Sequence, residues 1–448
     1  MAVSTQTASR PTFNAPELHE QIMRLRSVDN LTNLGYLSWE YLCATAVIAG
    51  AVVFCEYRGS WGFSWGWNAP VVALAVVLVG AIQHRLAGLG HEAAHYTLLK
   101  NKLLNDLIGD LVCMFPILAT VHFYRVFHLA HHQFTNDPDR DPDLVTLGAS
   151  KMVDRFPMST RWQFIKSIYL RAFTEPRALL RYQSDYIALN TLGSAGNEYL
   201  KRVPGADASG RVWPRLGATL GIIYLVAFVA TSWVLTKTGH GSWLLYEGLT
   251  GTALLVVAGA LLPDRAFFPS PFRQPYSSRF GGMLRLLFYT ALLTGLSLLR
   301  ESTGGRSPLY FWLLWVVPLN TTFPFFMLLR DVYQHTNADD GRLTNSRVFY
   351  ADPFTRWAVF VYGQDMHIPH HLFPAIPHYR LPRLHRLLKQ SHADYAAQVV
   401  ECHGTFSNPD GHPTILDVLC EPKDVALAVQ PEIPRSVGRA GHWAYDDD

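Results

Sequence analysis

The chain has 448 residues, 49% of them hydrophobic and only 16% charged, against about 25% charge in an ordinary soluble domain. The formal charge of +3 comes without any run of Lys or Arg, which excludes nucleic acid as an expected partner and points to a lipid environment. Five cysteines (Cys43, Cys55, Cys113, Cys402 and Cys420) form no CxxC pair; they read as small buried hydrophobes in a reducing compartment.

Residues 1–35 are polar and carry no apolar core of the signal-peptide kind, so they are expected as a cytoplasmic N-terminal segment. Apolar stretches long enough to cross a ~30 Å hydrocarbon core at 1.5 Å per residue follow at 36–55, with Glu40 inside it, and at 69–87. The stretch 103–121 is apolar but holds Asn105, Asp106 and Asp110, which suits a short buried or interfacial helix better than a span. Polar helical stretches around 160–200 belong to a long cytoplasmic segment. Further spans are expected at 217–236 and 243–262, at the short stretch 284–299, and at 309–329, where Pro318 and Pro324 predict a kink. The tail 401–448, rich in Pro and Asp with little periodicity, reads as a loop-rich cytoplasmic appendage. The expected fold is all-α: a polytopic membrane bundle of about six spans over 36–400, with a cytoplasmic helical cap.

Charge supports that topology. With the N-terminal segment inside, four of the 38 Lys and Arg fall outside: Arg58, Lys237, Arg300 and Arg306. The remainder lie on the cytoplasmic side, as the positive-inside rule requires, although the inside segments are also longer.

The nineteen histidines are unevenly placed. His91 and His95, in Gly90-His91-Glu92-Ala93-Ala94-His95, sit at i and i+4 at the end of the second span and share one helix face. His128, His131 and His132, and again His367, His370 and His371, follow i, i+3, i+4 spacing. His335 follows the last span directly. Hydropathy and charge place all four groups on one side of the membrane. Nine imidazoles exceed what one metal takes and suit two metals with four or five ligands each. Imidazole fits Zn, Cu, Fe and Ni; without accompanying cysteine a closed structural zinc site is disfavoured, and a redox iron pair fits better. His84, His122, His378 and His385 lie outside the spacing and are left out of the site.

Other chemistries have specific costs. HEAAH matches the HExxH pattern of zinc hydrolases, in which the Glu is a general base, but a membrane zinc hydrolase would leave seven clustered histidines unused. A metal transporter would place its histidines at mid-membrane depth, whereas these sit at span ends.

In order, the three clusters resemble the histidine boxes of the membrane fatty acid desaturase superfamily. The strings His131-His132-Gln133-Phe134-Thr135-Asn136-Asp137-Pro138 and His370-His371-Leu372-Phe373-Pro374-Ala375-Ile376-Pro377 are similar to its bacterial branch. The resemblance covers roughly residues 35 to 390. It implies metal ligation by His91, His95, His128, His131, His132, His367, His370 and His371. His335 matches the additional histidine some members place before the third box. Four residues earlier, where those members have asparagine, stands Asp331, a group that orients a histidine or a simple helix-end charge. The run 136–143 (NDPDRDPD) reads as a solvated acidic turn or, by the resemblance, as carboxylates that orient ligands.

The resemblance further implies two iron ions, O2 as co-substrate, and insertion of a double bond into a fatty acyl chain or related long apolar lipid taken from the membrane. Hydroxylation or ketolation of a lipid, carotenoid or terpenoid is the alternative within the superfamily. With no haem, flavin or iron–sulfur fingerprint in the chain, a separate electron-donor protein of ferredoxin or cytochrome type is expected. A bacterial inner membrane with both termini cytoplasmic is the expected location.

Overall fold

The computed structural model describes residues 13, 15–144, 160–192, 196–212, 215–408 and 411–420. Among them six helical stretches are long and apolar enough to cross a membrane: Thr32–Tyr57, Trp65–Ala94, Leu216–Lys237, Gly241–Leu261, Ser278–Ser302 and Ser307–His335. The protein is an all-α integral membrane bundle. The fifth span runs well beyond the stretch 284–299 because Ser277 caps its start, its hydroxyl accepting from the Phe280 N–H, so the polar residues before 284 join the helix.

The helices that place the site are α1 (Pro16–Leu25), α2 (Thr32–Tyr57), α3 (Asn68–Ala94), α4 (Lys102–Ile108) and α5 (Val121–Phe134), followed by α6 (Pro176–Leu192). The outer spans are α7 (Leu216–Lys237), α8 (Leu244–Leu261) and α9 (Ser278–Ser302). After them come α10 (Thr322–His335), α11 (His367–Leu372), α12 (Leu381–Ser391) and α13 (Ile415–Cys420). The segment Lys102–Ile117 meets α5 at a bend of 89°. Asp106 is buried there in an ion pair with Arg125 at 2.6 Å, so the charges of this apolar stretch face protein.

Helix α3 is the centre, packed against α2, α5 and α10. Its first half faces outward, while from Val79 to Ala94 nearly every side chain is buried. A Cβ on Gly80 would stand 1.9 Å from Thr322 Oγ1; glycine there lets the backbones of α3 and α10 touch. Glu40, inside the first span, is buried and paired with Arg85 of α3 at 2.7 Å, and the Tyr362 hydroxyl donates to it at 2.5 Å. A carboxylate in a membrane helix thus faces protein.

Both flanking segments pack more closely than their composition suggests. Leu18, Ile22 and Leu25 of α1 share a buried cluster with Ile368, Leu372, Leu384 and Leu388. The described part of 401–448 is no detached appendage. β2 (Glu401–His403) pairs in parallel with β1 (Val348–Tyr350), and Leu416 and Leu419 of α13 enter the main core. Those strands have three residues each, too few for alternation to register in sequence. Residues 1–12 and 421–448 of these segments lie outside the described residues.

Replacing Glu40 by Ala leaves Arg85 without its partner and is expected to cost about 3 kcal/mol, with Arg85→Ala in the same chain recovering part of it. Thermal unfolding of the purified protein in detergent checks this; an unchanged midpoint for Glu40→Ala would count against a structural pair.

Candidate metal centre

Four chain segments deliver nine imidazoles to one place. The first comes from the last turn of α3, where His91 lies one turn before His95 and the chain leaves the helix through Tyr96 at φ 58°. The second is α5, started by Thr120, whose hydroxyl accepts from the Phe123 N–H. It carries His128, His131 and His132 on its last turns. The end of α10 supplies His335, and the short α11 supplies His367, His370 and His371.

The ring nitrogens fall into two groups, each with its ligand atoms within 4.8 Å of one another: His91, His95, His128, His132 and His370, and then His131, His335, His367 and His371. In the first, Nε2 of His370 lies 3.1 Å from Nε2 of both His91 and His132, and His132 lies 2.9 Å from His128. In the second, His367 Nε2 lies 2.8 Å from that of His335 and 3.1 Å from that of His371. Ligand nitrogens at right angles around a metal bound at ~2.1 Å stand about 3.0 Å apart. A proton on one nitrogen satisfies a single neighbour, so several converging lone pairs call for a cation. His95 makes the same point: it is buried, and neither ring nitrogen has a hydrogen-bond partner. The residues therefore fit two metal ions, with five and four imidazoles.

Electrostatics keeps these rings ready as ligands. Burial, then the charge of neighbouring histidines, holds His367, His370 and His371 well below the usual imidazole pKa, leaving them neutral. His131 differs. Burial opposes its charging, yet the carboxylates of Asp141 and Asp143 push its pKa up to about 9.

Outer partners fix ring orientation. Nδ1 of His131 faces Asp141 Oδ1 at 2.9 Å, and the other Asp141 oxygen accepts from the Asn136 N–H at 2.8 Å. Of the two readings of the run 136–143, the geometry matches the orienting one for Asp141, which is buried. His335 Nδ1 lies 3.0 Å from the Asn345 carbonyl, and His371 Nδ1 lies 3.2 Å from Thr135 Oγ1. Each leaves Nε2 turned to the centre.

Asp331 is buried, so it is not a solvated helix-end charge. Its carboxylate accepts from the Tyr182 hydroxyl at 2.9 Å and from Arg330 Nε at 3.0 Å. Glu92 accepts from the His378 N–H at 3.0 Å and from the Thr97 hydroxyl at 2.9 Å. Those bonds tie the first box to the chain after the third and occupy a carboxylate that a hydrolase would keep as its base. His84, His122, His378 and His385 lie outside both groups and bond to Ala358, Gln274, Asn33 and Tyr395 respectively.

Two residues beside the histidine groups had no motif to announce them. Gln364 Nε2 stands 3.3 Å from His91 Nε2, and Gln334 Nε2 donates to Gln364 Oε1 at 2.9 Å. Their only sequence signal is adjacency to His335 and to the third box. All five cysteines are free, and four of them are buried; none belongs to either group.

Asp141→Ala is expected to weaken metal binding about 10- to 100-fold while leaving the helices intact, as a metal titration followed by circular dichroism would read. His95→Ala and His367→Ala, one in each group, should each drop bound metal from about two ions per chain to roughly one. Elemental analysis decides this, and a loss of both ions from either variant would mean the two groups do not bind independently.

The family model described as fatty acid desaturase matches residues 65–291 and 243–403. The chain is 36% identical over 142 residues to the dihydrorhizobitoxine desaturase of Bradyrhizobium elkanii, covering 32% of this chain and 36% of that protein. It is 24% identical over 230 residues to the endoplasmic reticulum acyl-lipid omega-3 desaturase (cytochrome b5) of Arabidopsis thaliana, covering 51% and 53%. To the sn-1 acyl-lipid omega-3 desaturase (ferredoxin) of Synechocystis sp. it is 32% identical over 109 residues, covering 24% and 27%. The chain thus spans about a quarter to a half of the length of these relatives. With most of its length matched by the family model and its histidines gathered at one end of a six-span bundle, the chain belongs to the fatty acid desaturase family.

Proposed function

We propose that this protein is an O2-dependent oxidoreductase that introduces a double bond into an acyl chain or related long apolar lipid, with His91, His95, His128, His132 and His370 holding one iron and His131, His335, His367 and His371 the other. The observation that carries this is a cavity against both groups. His91, His128, His131 and His335 line it together with Ile117 and Phe323. Imidazole-only groups of four and five exceed the three protein ligands typical of catalytic zinc and suit iron.

Bound there, the iron pair would supply two-electron redox chemistry with O2. The chain's own residues do the rest. Apolar lining residues such as Ile117, Phe323 and Met327 pack the hydrocarbon, while Asp141, Asn345 and Thr135 keep the ring nitrogens aimed. In the reaction two C–H bonds break and one carbon–carbon double bond forms. O2 takes those two hydrogens plus two electrons and two protons and leaves as two waters.

The electrons come from a separate donor. Relatives are named for cytochrome b5 and for ferredoxin, and one of these two kinds of carrier docks on the cytoplasmic face. An even count of six spans supports both flanks lying on one side of the membrane. We place that side in the cytoplasm of a bacterial inner membrane, with 36–400 as the membrane domain and 1–35 and 401–448 as its cytoplasmic flanks.

Mass spectrometry of total lipids from a host expressing the chain, beside a His131→Ala control, tests the reading. A lipid lighter by two hydrogens that the control lacks is the expected result. A gain of one oxygen would make the protein a hydroxylase on the same site. An iron-loaded protein that, supplied with reductant and lipid extract, consumes no O2 would overturn the reading.

A further inference from the structure

One wall of the cavity does not suit a plain hydrocarbon. Helix α6 presents Gln183, Tyr186, Ile187 and Asn190 to it, the i, i+3, i+4, i+7 face of a single helix. Gln183 and Asn190 are 2% and 7% exposed. Gln183 Nε2 donates to the Leu319 carbonyl at 2.8 Å, and Asn190 Nδ2 donates to the Tyr186 carbonyl at 3.0 Å. Those bonds fix which way each amide points. The atoms left over, Gln183 Oε1 and Asn190 Oδ1, are buried and have no hydrogen-bond partner. Both are acceptors, both belong to one helix face, and that face lines the cavity that reaches the histidines.

Buried polar atoms are paired in folded proteins, and each exception calls for an account. Two acceptors on one helix face, two turns or about 10 Å apart along its axis, each call for a donor. A saturated chain of CH2 groups brings none and would seal both oxygens away from water. A hydroxyl or an amine N–H brings one. The other charged groups on this side are already engaged: Asp331 by Tyr182 and Arg330, and Asp143 by the Tyr186 hydroxyl at 2.8 Å. On the α6 face the acceptors without a partner are the two amide oxygens.

Resting on the oxidoreductase reading above, we propose that the substrate is amphipathic: a chain bearing O–H or N–H donors, received at Gln183, at Asn190 or at both, so that the α6 face sets where along the chain the reaction falls. The two amides are specificity determinants that touch substrate away from the reacting carbons. A site built to bond such a group discriminates strongly against the analogue that lacks it.

The test compares binding to the iron-loaded protein in detergent. The probes are a saturated C18 acyl ester and a positional series of its hydroxyl- and amino-substituted counterparts. At least one substituted chain is expected to bind about tenfold more tightly than the plain one. The position of the best binder and its identity as alcohol or amine distinguish the two donors. Gln183→Leu and Asn190→Leu are expected to shrink that preference to about twofold or less, with iron content retained and the plain chain bound no more weakly than by the wild type.

A plain chain that binds as tightly as every substituted one overturns the proposal, as does failure of every probe to bind. So does a preference that survives both substitutions. Should the leucine variants lose iron, the wild-type comparison decides alone. Oxidation of the plain chain without any donor preference removes this inference and leaves the oxidoreductase reading. A donor preference in a protein that oxidises nothing, with iron, O2 and reductant supplied, removes that reading and leaves the substrate class.

Discussion

The close approach of α3 and α10 is the constraint on which the rest depends. At Gly80 only the small Thr322 side chain lies between the two helices, and its hydroxyl crosses the contact to donate to the Val76 carbonyl at 2.8 Å. From that point both helices run toward the same end of the bundle. Their last turns carry His91 and His95 on one side and His335 on the other. Packed helices deform little, so spacing set at the contact is passed on to the ring nitrogens. A larger residue at Gly80 would separate helix ends that have to agree to within a few tenths of an ångström.

Around this scaffold the polar groups do one job repeatedly. A carbonyl, a hydroxyl and a carboxylate each hold one histidine by Nδ1, at His335, His371 and His131. None of the three partners comes from a span: Asn345, Thr135 and Asp141 are in connecting segments. The spans bring the histidines into one volume, and the loops decide which nitrogen each presents. The division follows from the lipid. Inside the bundle a polar side chain has to find a protein partner, as Glu40 finds Arg85 and Tyr362, whereas loops at the boundary are free to carry carboxylates and bare carbonyls.

Much of this was legible in the sequence because it is periodic or compositional. Apolar length marked the six stretches long enough to span, and the charges of 103–121 marked a stretch that the structure bends by 89° against α5. Spacing of three and four marked the rings that share a helix face. The contacts between segments far apart in the chain left no such trace. Asp141 could be weighed as an orienting group only against the ordinary behaviour of an Asp–Pro turn. Nothing distinguished Gln364 from any other glutamine, and the docking of α1 on α12 depends on two amphipathic faces that only the fold brings together. The pairing of β1 with β2 escaped for the same reason, since three residues are too few to show alternation.

The placement of the ligands also governs when the centre can exist. The first box lies at residues 91–95 and the third ends at 371, and the strand that flanks Asn345 on the way to that box is paired only once 401–403 are present. On the ribosome, α3 and α5 are made long before α10 and α11. For that interval the first five histidines stand in the bilayer boundary with vacant lone pairs and no second half to close over them. Four of the five imidazoles of the first group are then already made, whereas three of the four in the second, His335, His367 and His371, come last, so the second group is the one whose assembly is tied to completion of the chain.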